Sequence, residues 1–487
     1  LGTGPVEVGM MGSDAVLVGG GGHQSVTNPV TVGLKGSVAA SQGGTLELRR
    51  LAFDAGYEQI KAGGHADPLG GTVRLAVDPA TTANVFNVFA YDQNSLDLDG
   101  GTAIGQPVPL TNTSPRVEVR AGSRLRVADA VLNVPGLYLN VAGGEYLQEA
   151  GEAVFRFAHG TTNAPNDASP LAPVGIVLNG GSLAFVESPM FSLSNVRSTR
   201  TVINGGHLRA GQVNFSKSHR RDERLTHLLE LNGGVLEADE ISYQGGANAV
   251  EPAIVRLNGG TLKVAATSAA THDFISVNGV DLLSVYLGFG GFACDTAGMD
   301  AVIRQPLEAD PLRGAAPDGG LRKLGEGCLT LTQPLVASGP VTVERGTLRL
   351  AEAWFAGETI AVQAGGTLEL GGGGISNAAI HVSAGGTLHL TETPAEAEVP
   401  NGSFEIYTAG QLSATVKHRY QPTGTGWTFP STCGIQTNGS GFSSDPAYYT
   451  TNGGVTAFVK QGTIQREFTV TRGGTYRLAF EQATRNG

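Results

Sequence analysis

The chain has 487 residues, with 32 basic and 43 acidic side chains and a formal net charge of −11. A hydrophobic fraction of 40% is enough to bury a core, and glycine, at 72 residues, is about twice as frequent as usual but lacks the Gly-X-Y period of collagen. No apolar run approaches the length of a membrane helix, and the acidic balance argues against a nucleic-acid binder, because phosphate contacts need clustered Lys and Arg.

Neither end of the sequence reads as a natural terminus. The chain starts at Leu1 rather than Met, and no signal sequence precedes Gly4. The last ten residues read as a strand followed by a turn. We therefore expect an internal fragment of an exported protein, whose signal and anchoring segments lie outside the given sequence.

A short glycine-containing phrase recurs along the first 390 residues. Each copy has Gly-Gly, a small or β-branched residue, an aliphatic residue, a spacer and another apolar residue. The copies begin at Gly43, Gly70, Gly180, Gly205, Gly233, Gly259, Gly365 and Gly385, with a shortened copy at Gly346. Repetition at this scale predicts a solenoid with loops of variable length inserted between coils. The late copies, at Gly346, Gly366 and Gly386, are evenly spaced.

Each copy also predicts a strand. Thr-Leu-Glu-Leu alternates polar and apolar side chains, so both leucines face one side. Many copies follow a second alternating run and an Asn, as in Ile254–Asn258 before Gly259. Strand, Asn-Gly-Gly, strand is compatible with an antiparallel hairpin or with a corner between two strands of one coil. We favour the corner, because a coil with half-exposed leucines gains from stacking on similar neighbours.

One stretch carries a family resemblance. Gly319–Thr332 followed by Ser338–Leu350 resembles the autotransporter-associated β-strand repeat, whose consensus is Gly-Gly-Leu-x-Lys-x-Gly-x-Gly-x-Leu-x-Leu, a loop, and Gly-x-Leu-x-Leu. The clearest copy spans residues 286–350, although Cys328 replaces the usual Thr and the linker Glu308–Pro317 is long. The resemblance implies a right-handed parallel β-helix over residues 1–390, carried by exported or surface proteins, mainly of Gram-negative bacteria.

The sequence changes character after Leu390. Residues 391–399 form a linker with Pro, Glu and Ala, and aromatic residues then become frequent. Pro400–Glu405 and Gly474–Phe480 resemble the first and a later strand of a galactose-binding-like jelly roll. Residues 400–487 are therefore expected to form an incomplete antiparallel β-sandwich. Within it, Trp427, Tyr448 and Tyr449 are the candidates for stacking on sugar rings, although packing in the core is the interpretation that we favour for them.

Other chemistry-bearing groups are weaker candidates. Asp97 and Asp99 share one strand face, as an acid pair or calcium site would require, although a solvated face explains them equally simply. The basic residues Lys217, His219, Arg220, Arg221 and Arg224 read as a solvated insertion loop that is able to hold an anionic polymer. The histidines at 207, 272, 381 and 389 show no metal-ligand spacing, and a pairing of Cys294 with Cys328 is left open.

These patterns predict a non-enzymatic, exported or cell-surface protein: an all-β solenoid stalk or adhesive passenger that presents a carbohydrate-binding-like module. We expect a monomeric rod with no cofactor, no metal and no nucleic-acid partner, and with glycans or cell-surface polysaccharide as its partners. Two alternatives stay open. One is a polysaccharide-active enzyme of the pectin-lyase-like kind, and the other is an export-assisting segment without a ligand.

Overall fold

The structure is a computed structural model that divides into two compact units, Leu1–Thr391 and Glu392–Gly487. It describes residues 2–10, 14–33, 35–53, 59–63, 70–77, 83–85, 87–91, 93–106, 115–120, 122–159, 174–187, 198–216, 226–244, 250, 252–265, 271–277, 282–351, 355, 357–371, 375, 378–390, 401–440 and 454–467. Within these ranges no helix is long and apolar enough to cross a membrane.

The first unit is built from five parallel sheets, which we label A to E. Sheet A contains Val6–Val8, Val30–Val32 and Leu51–Phe53. Sheet B contains Ala15–Gly19, Gly36–Ala40, Gln59–Ala62, Asn87–Ala90, Arg116–Arg120, Tyr138–Ala142 and Ala158–His159. Sheet C contains His23–Val26, Thr45–Leu48, Thr72–Leu75, Ser95–Leu98, Arg124–Val127, Glu145–Gln148, Val174–Leu178, Thr199–Ile203, His227–Leu231, Ala253–Leu257, Leu283–Leu287 and Leu307–Ala309.

The remaining two sheets continue the unit toward its C-terminal end. Sheet D contains Ala83–Asn84, Thr102–Gly105, Ala130–Val134, Glu152–Phe155, Ser182–Phe185, His207–Arg209, Val235–Ala238, Thr261–Val264, Phe292–Asp295, Leu321–Leu324, Val341–Val343, Thr359–Val362 and Ala379–Val382. Sheet E contains Gln212–Ser216, Glu240–Gln244, Thr271–Val277, Asp300–Ile303, Cys328–Leu331, Gly346–Leu350, Gly366–Leu370 and Thr387–Leu390. A short 3-10 helix, Pro311–Arg313, follows sheet C.

Successive strands belong to different sheets, and each strand pairs with its counterpart in the next coil. Three strands of sheet A and thirteen of sheet D mark sixteen coils among the described residues. Sheet B supplies another face of the early coils and sheet E of the late ones, while single parallel bridges at Leu335, Phe355 and Ile375 prolong sheet C. The predicted all-β fold, a parallel β-helix, is therefore confirmed, and the Asn-Gly-Gly segments are corners rather than hairpins.

The strand alternation places aliphatic side chains in one continuous interior. Leu46, Leu183, Leu262 and Leu368, each from a glycine phrase, are all buried in the same hydrophobic cluster. The even spacing of the late copies gives coils of equal length, so Gly346 pairs with Gly366 and Thr367 with Thr387. In Thr387–Leu390, the last described strand of the first unit, the sequence still alternates, but its leucines are exposed.

The corners need glycine for two reasons. Gly206 has a φ of 72°, a left-handed conformation that side chains disfavour, and an added Cβ would lie 2.4 Å from the Gly181 carbonyl oxygen of the preceding coil. At four successive corners an Asn precedes the Gly-Gly pair, and these asparagines form a ladder of side-chain amides. Nδ2 donates to Oδ1 from Asn204 to Asn179 (2.9 Å), Asn232 to Asn204 (3.0 Å) and Asn258 to Asn232 (3.2 Å).

Two charged residues of the 319–350 motif are buried structural anchors. The Lys323 Nζ donates to the carbonyl oxygens of Leu324 (2.7 Å), Gly325 (2.8 Å) and, one coil further on, Arg345 (3.1 Å). The Asp318 carboxylate accepts hydrogen bonds from Gly320, Ser338 and Gly339 backbone N–H groups. Burial alone would raise the pKa of Asp318, but these hydrogen bonds lower it below its usual value. Both residues tie one coil to the next.

Within residues 401–440 and 454–467, the second unit contains one antiparallel sheet, which we label F. Its strands are His418–Tyr420, Cys433–Thr437 and Val455–Val459. Phe429, Ile435 and Val455 belong to its small buried core. An antiparallel C-terminal sheet fits the predicted incomplete sandwich.

Candidate functional site

Trp427, the described member of the predicted sugar-stacking trio, packs at the edge of the second unit's core. Its ring centroid lies 5.0 Å from that of Phe404, and its indole Nε1 donates to the Asn401 carbonyl oxygen at 2.9 Å. The second unit itself therefore provides a ring neighbour for Trp427 and a hydrogen-bond acceptor for its indole N–H. Tyr448 and Tyr449 lie outside the described residues, so stacking of these three residues on sugars stays a prediction.

Asp97 and Asp99 do share the outer face of sheet C, where both are held by arginines. Arg126 Nη1 lies 3.3 Å from Asp97 Oδ2, and Arg74 forms a short ion pair with Asp99. Burial raises the pKa of Asp97. The same effect at Asp99 is outweighed by hydrogen bonds from the Gly100 N–H and from Arg74, which lower its pKa. In the described part of the chain, no group of three or more His, Cys, Asp or Glu side chains is placed to hold a metal ion.

Similar ion pairs run between coils along the outer faces of sheets C and D. Glu230 bridges Arg200 (2.8 Å) and Arg256 (2.7 Å), and Arg256 continues to Asp310 (2.7 Å). On sheet D, Glu237 accepts from His207 and Lys263. Opposite charges on neighbouring in-register strands stabilise the sheet. These charged side chains therefore have their partners within the protein.

The structure describes some of the other candidate residues, namely the histidines and the cysteines. The basic loop at 217–224 lies outside the described residues. His272 is buried, whereas His381 and His389 are exposed on the last coils. Cys294, Cys328 and Cys433, all in the described ranges, are free thiols, so the pairing of Cys294 with Cys328 is absent. Burial raises the pKa of Cys294 to about 12.

The outer face of sheet B differs from these ladders because it combines arginines with aromatic rings. We call it the arginine–aromatic face, and its members are Phe89, Tyr91, Arg116, Glu118, Arg120, Tyr138, Asn140, Arg156 and Phe157. Strands Asn87–Ala90, Arg116–Arg120, Tyr138–Ala142 and Ala158–His159 lie side by side, so the face crosses four coils, about 15 Å along the stack.

Each arginine of this face lies over a ring. The guanidinium carbons of Arg116, Arg120 and Arg156 are each 5.5 Å from a ring centroid, over Phe89, Tyr91 and Phe157 respectively. The Phe157 ring also stacks on Tyr138, with 5.4 Å between centroids and 8° between planes. Cation–π contacts within about 6 Å are attractive and fix the orientation of the guanidinium plane.

Glu118 anchors two of the arginines from the middle of the face. It is 7% exposed, and its carboxylate accepts from Arg116 Nε (2.5 Å) and Arg120 Nε (2.7 Å). Burial alone would raise the pKa of Glu118, but hydrogen bonds from Arg120 and Arg116 lower it. Arg156 uses its Nε in the same way toward Glu187 (2.5 Å). A guanidinium has five N–H donors, so these Nε bonds leave donor capacity at the Nη atoms.

The arginines also remain accessible. Their side chains are 29%, 53% and 44% exposed for Arg116, Arg120 and Arg156. Beside Glu118 in register lies Asn140, which is 3% exposed and whose Oδ1 accepts no hydrogen bond from the described residues. Accessible guanidinium groups of this kind can bind a ligand that offers anionic groups.

Sequence reasoning missed this face, although part of its signal is visible. Arg116-Val-Glu-Val-Arg120 alternates charged and apolar residues, which places both arginines and Glu118 on the outer side. The rings that these arginines meet come from the preceding coil, across an insertion whose length the sequence pattern does not predict. Only the register between coils brings them together.

Comparison with known proteins adds no family to this geometry. No protein-family model matches the chain, and neither the curated proteins nor the solved structures gave a match. The resemblance of residues 286–350 to the autotransporter-associated repeat therefore stays a prediction.

Proposed function

We propose that the protein is a non-enzymatic β-solenoid stalk or adhesive passenger that binds glycans outside the cell. The observation that carries the proposal is the contrast between its outer faces. Charged residues on sheets C and D, such as Glu230 and Glu237, form ion pairs between coils. The arginines of the arginine–aromatic face are ion-paired too, but they also lie over aromatic rings, so the face offers oriented, partly exposed guanidinium groups beside ring surfaces. Such an arrangement suits a scaffold that displays a binding surface.

The stacked coils supply the mechanical part of this function. Sixteen coils at the spacing of neighbouring strands span about 70 Å in the first unit. Ladder hydrogen bonds, the asparagine ladder and the inter-coil ion pairs all run along the stack. Several weak contacts arranged along one rigid face add up through effective concentration, so modest affinity per site gives firm attachment. The extracellular or outer-surface location belongs to the same proposal.

The test measures binding and cleavage together. Beads coated with the full chain are assayed for retention on surfaces bearing acidic or neutral polysaccharides, and the soluble phase is assayed for new reducing ends and unsaturated uronates. The proposal expects retention without product. Cleavage product formed in proportion to protein concentration would overturn the proposal. The proposal would also be overturned if the beads attached to none of the polysaccharides. The latter result would favour the export-assisting segment without a ligand.

One observation favours the enzymatic alternative. Asp97 and Asp99 have pKa values shifted in opposite directions, which is a feature of acid–base pairs in polysaccharide-cleaving sites. Arg74 and Arg126, which hold them, would be part of that site. If cleavage occurs, the D97N/D99N double variant should abolish it while leaving bead retention intact.

A further inference from the structure

We infer that the arginine–aromatic face binds an extended anionic polysaccharide, a polymer of sugars bearing carboxylate or sulfate groups, which runs across several coils. This inference rests on the proposed glycan-binding function and deepens it by naming the site and the class of ligand. It concerns Arg116, Arg120 and Arg156 as the groups that recognise the anions.

The guanidinium groups are prepared for this role. Nε bonds to Glu118 and Glu187 and the ring contacts hold each plane in place before any ligand arrives. Little side-chain entropy is then lost on binding, because the donors are already oriented. A carboxylate or sulfate matches the two parallel N–H bonds that a guanidinium edge offers. The ammonium group of lysine is a compact point charge and cannot offer these two parallel bonds.

The spacing favours a polymer over a small anion. Arg120 and Arg156 lie two coils apart, about 10 Å along the stack, and their register places them five residues apart along the strand direction, about 16 Å. A single carboxylate cannot reach both, whereas a chain with an anionic group on successive sugars can. The face thus presents a row of anion sites rather than one pocket.

Charge complementarity and hydrogen bonding select among polymers. The face carries three guanidinium groups against the carboxylates of Glu118 and Glu187, and Lys61 pairs in register with Phe89, in a chain of net charge −11. A polyanion is therefore attracted here and repelled by the acidic chain as a whole. The arginine Nη groups supply the hydrogen bonds to the anionic groups, whereas the Oδ1 of Asn140 is buried and out of a ligand's reach.

Nucleic acid fits this face less well. Binding of single strands relies on base stacking against aromatic faces, and here the rings of Phe89, Tyr91 and Phe157 each already carry a guanidinium. We therefore argue for the polysaccharide and treat nucleic acid as an outcome of the test.

The experiment uses the full 487-residue chain with four immobilised probes: polygalacturonate, heparin, neutral dextran and single-stranded DNA. Dissociation constants are measured at low salt and across a salt titration for the parent, for R120Q/R156Q and for R200Q/R322Q. The last variant removes the same number of charges from exposed arginines on sheets C and D, which makes it a matched control. Circular dichroism and thermal melting confirm that all three fold.

We expect polygalacturonate or heparin to bind with a salt-dependent affinity that R120Q/R156Q weakens at least tenfold and R200Q/R322Q changes less than twofold. A preference for one of the two polymers distinguishes carboxylate from sulfate. Equal losses in both variants, no binding at low salt, equal binding of dextran, or tighter binding of DNA would each overturn the inference. Retention on neutral glycans that is unaffected by R120Q/R156Q would leave the proposed function standing, whereas polysaccharide cleavage would refute the proposed function itself.

Discussion

Replacement of Lys323 by Met tests how the motif coil is held together. The Lys323 side chain is fully buried, and its ammonium is the donor for three carbonyl oxygens at 2.7, 2.8 and 3.1 Å. Met keeps the apolar stem but leaves these acceptors without a donor, at about 1–3 kcal/mol each. Removing a buried ammonium recovers several kcal/mol of desolvation free energy. We therefore expect a net loss of about 2–4 kcal/mol, confined to the coils around residues 321–350.

Hydrogen exchange followed by mass spectrometry measures this loss locally, which matters because a solenoid need not unfold in one step. Peptides covering Leu321–Leu324 and Gly346–Leu350 should lose protection in Lys323→Met, whereas peptides covering Arg116–Arg120 should not. Arg322→Met is the control, because Arg322 is an exposed neighbour on the same strand. If Lys323→Met and Arg322→Met lower protection by the same amount, the anchoring role of Lys323 is wrong.

Three further predictions concern the corners and the arginine–aromatic face. Asn232→Ala removes two hydrogen bonds of the asparagine ladder and should lower the free energy of unfolding, measured by urea denaturation, by about 1 kcal/mol. Asn133→Ala, at an exposed position, is the control, and equal effects of the two variants would contradict the prediction. Gly206→Ala forces a Cβ against the Gly181 carbonyl at positive φ and should cost at least about 1–3 kcal/mol, whereas an unchanged melting temperature would refute the close approach. The lowered pKa of Glu118 contributes stability that is complete above the unfolded value of about 4.3 and is lost as the pH falls through the lower folded value. In Glu118→Gln, the stability of this region should therefore depend less on pH in the acid range. An unchanged pH dependence would show that Glu118 is not its source.

The coil architecture was predictable because its signals are local. Alternation within Thr-Leu-Glu-Leu fixes which side chains enter the interior, and Gly-Gly marks the corner wherever a positive φ and a close approach coincide, as at Gly206. The equal spacing of Gly346 and Gly366 translates directly into their pairing. Alternation from Leu321 places Lys323 on the inward face, and the structure buries its ammonium there because three carbonyl oxygens replace its water.

The arginine–aromatic face was not predictable in the same way. Arg120 meets Tyr91 only through the register of neighbouring coils, and the insertion between them hides that register. Trp427 illustrates the reverse difficulty: its residue type suggests sugar stacking, but its indole N–H meets a carbonyl 26 residues upstream, at Asn401. Composition gives the number of aromatic residues and not the direction in which they face.

Hydrogen exchange of the full chain with and without polygalacturonate tests the central claim most directly, because it maps where the polymer lies. We predict added protection in peptides covering Asn87–Ala90, Arg116–Arg120 and Tyr138–Ala142, on neighbouring strands of sheet B. Protection confined to Thr72–Leu75 and Ser95–Leu98, around Asp97, or to the segment around Trp427 would contradict it.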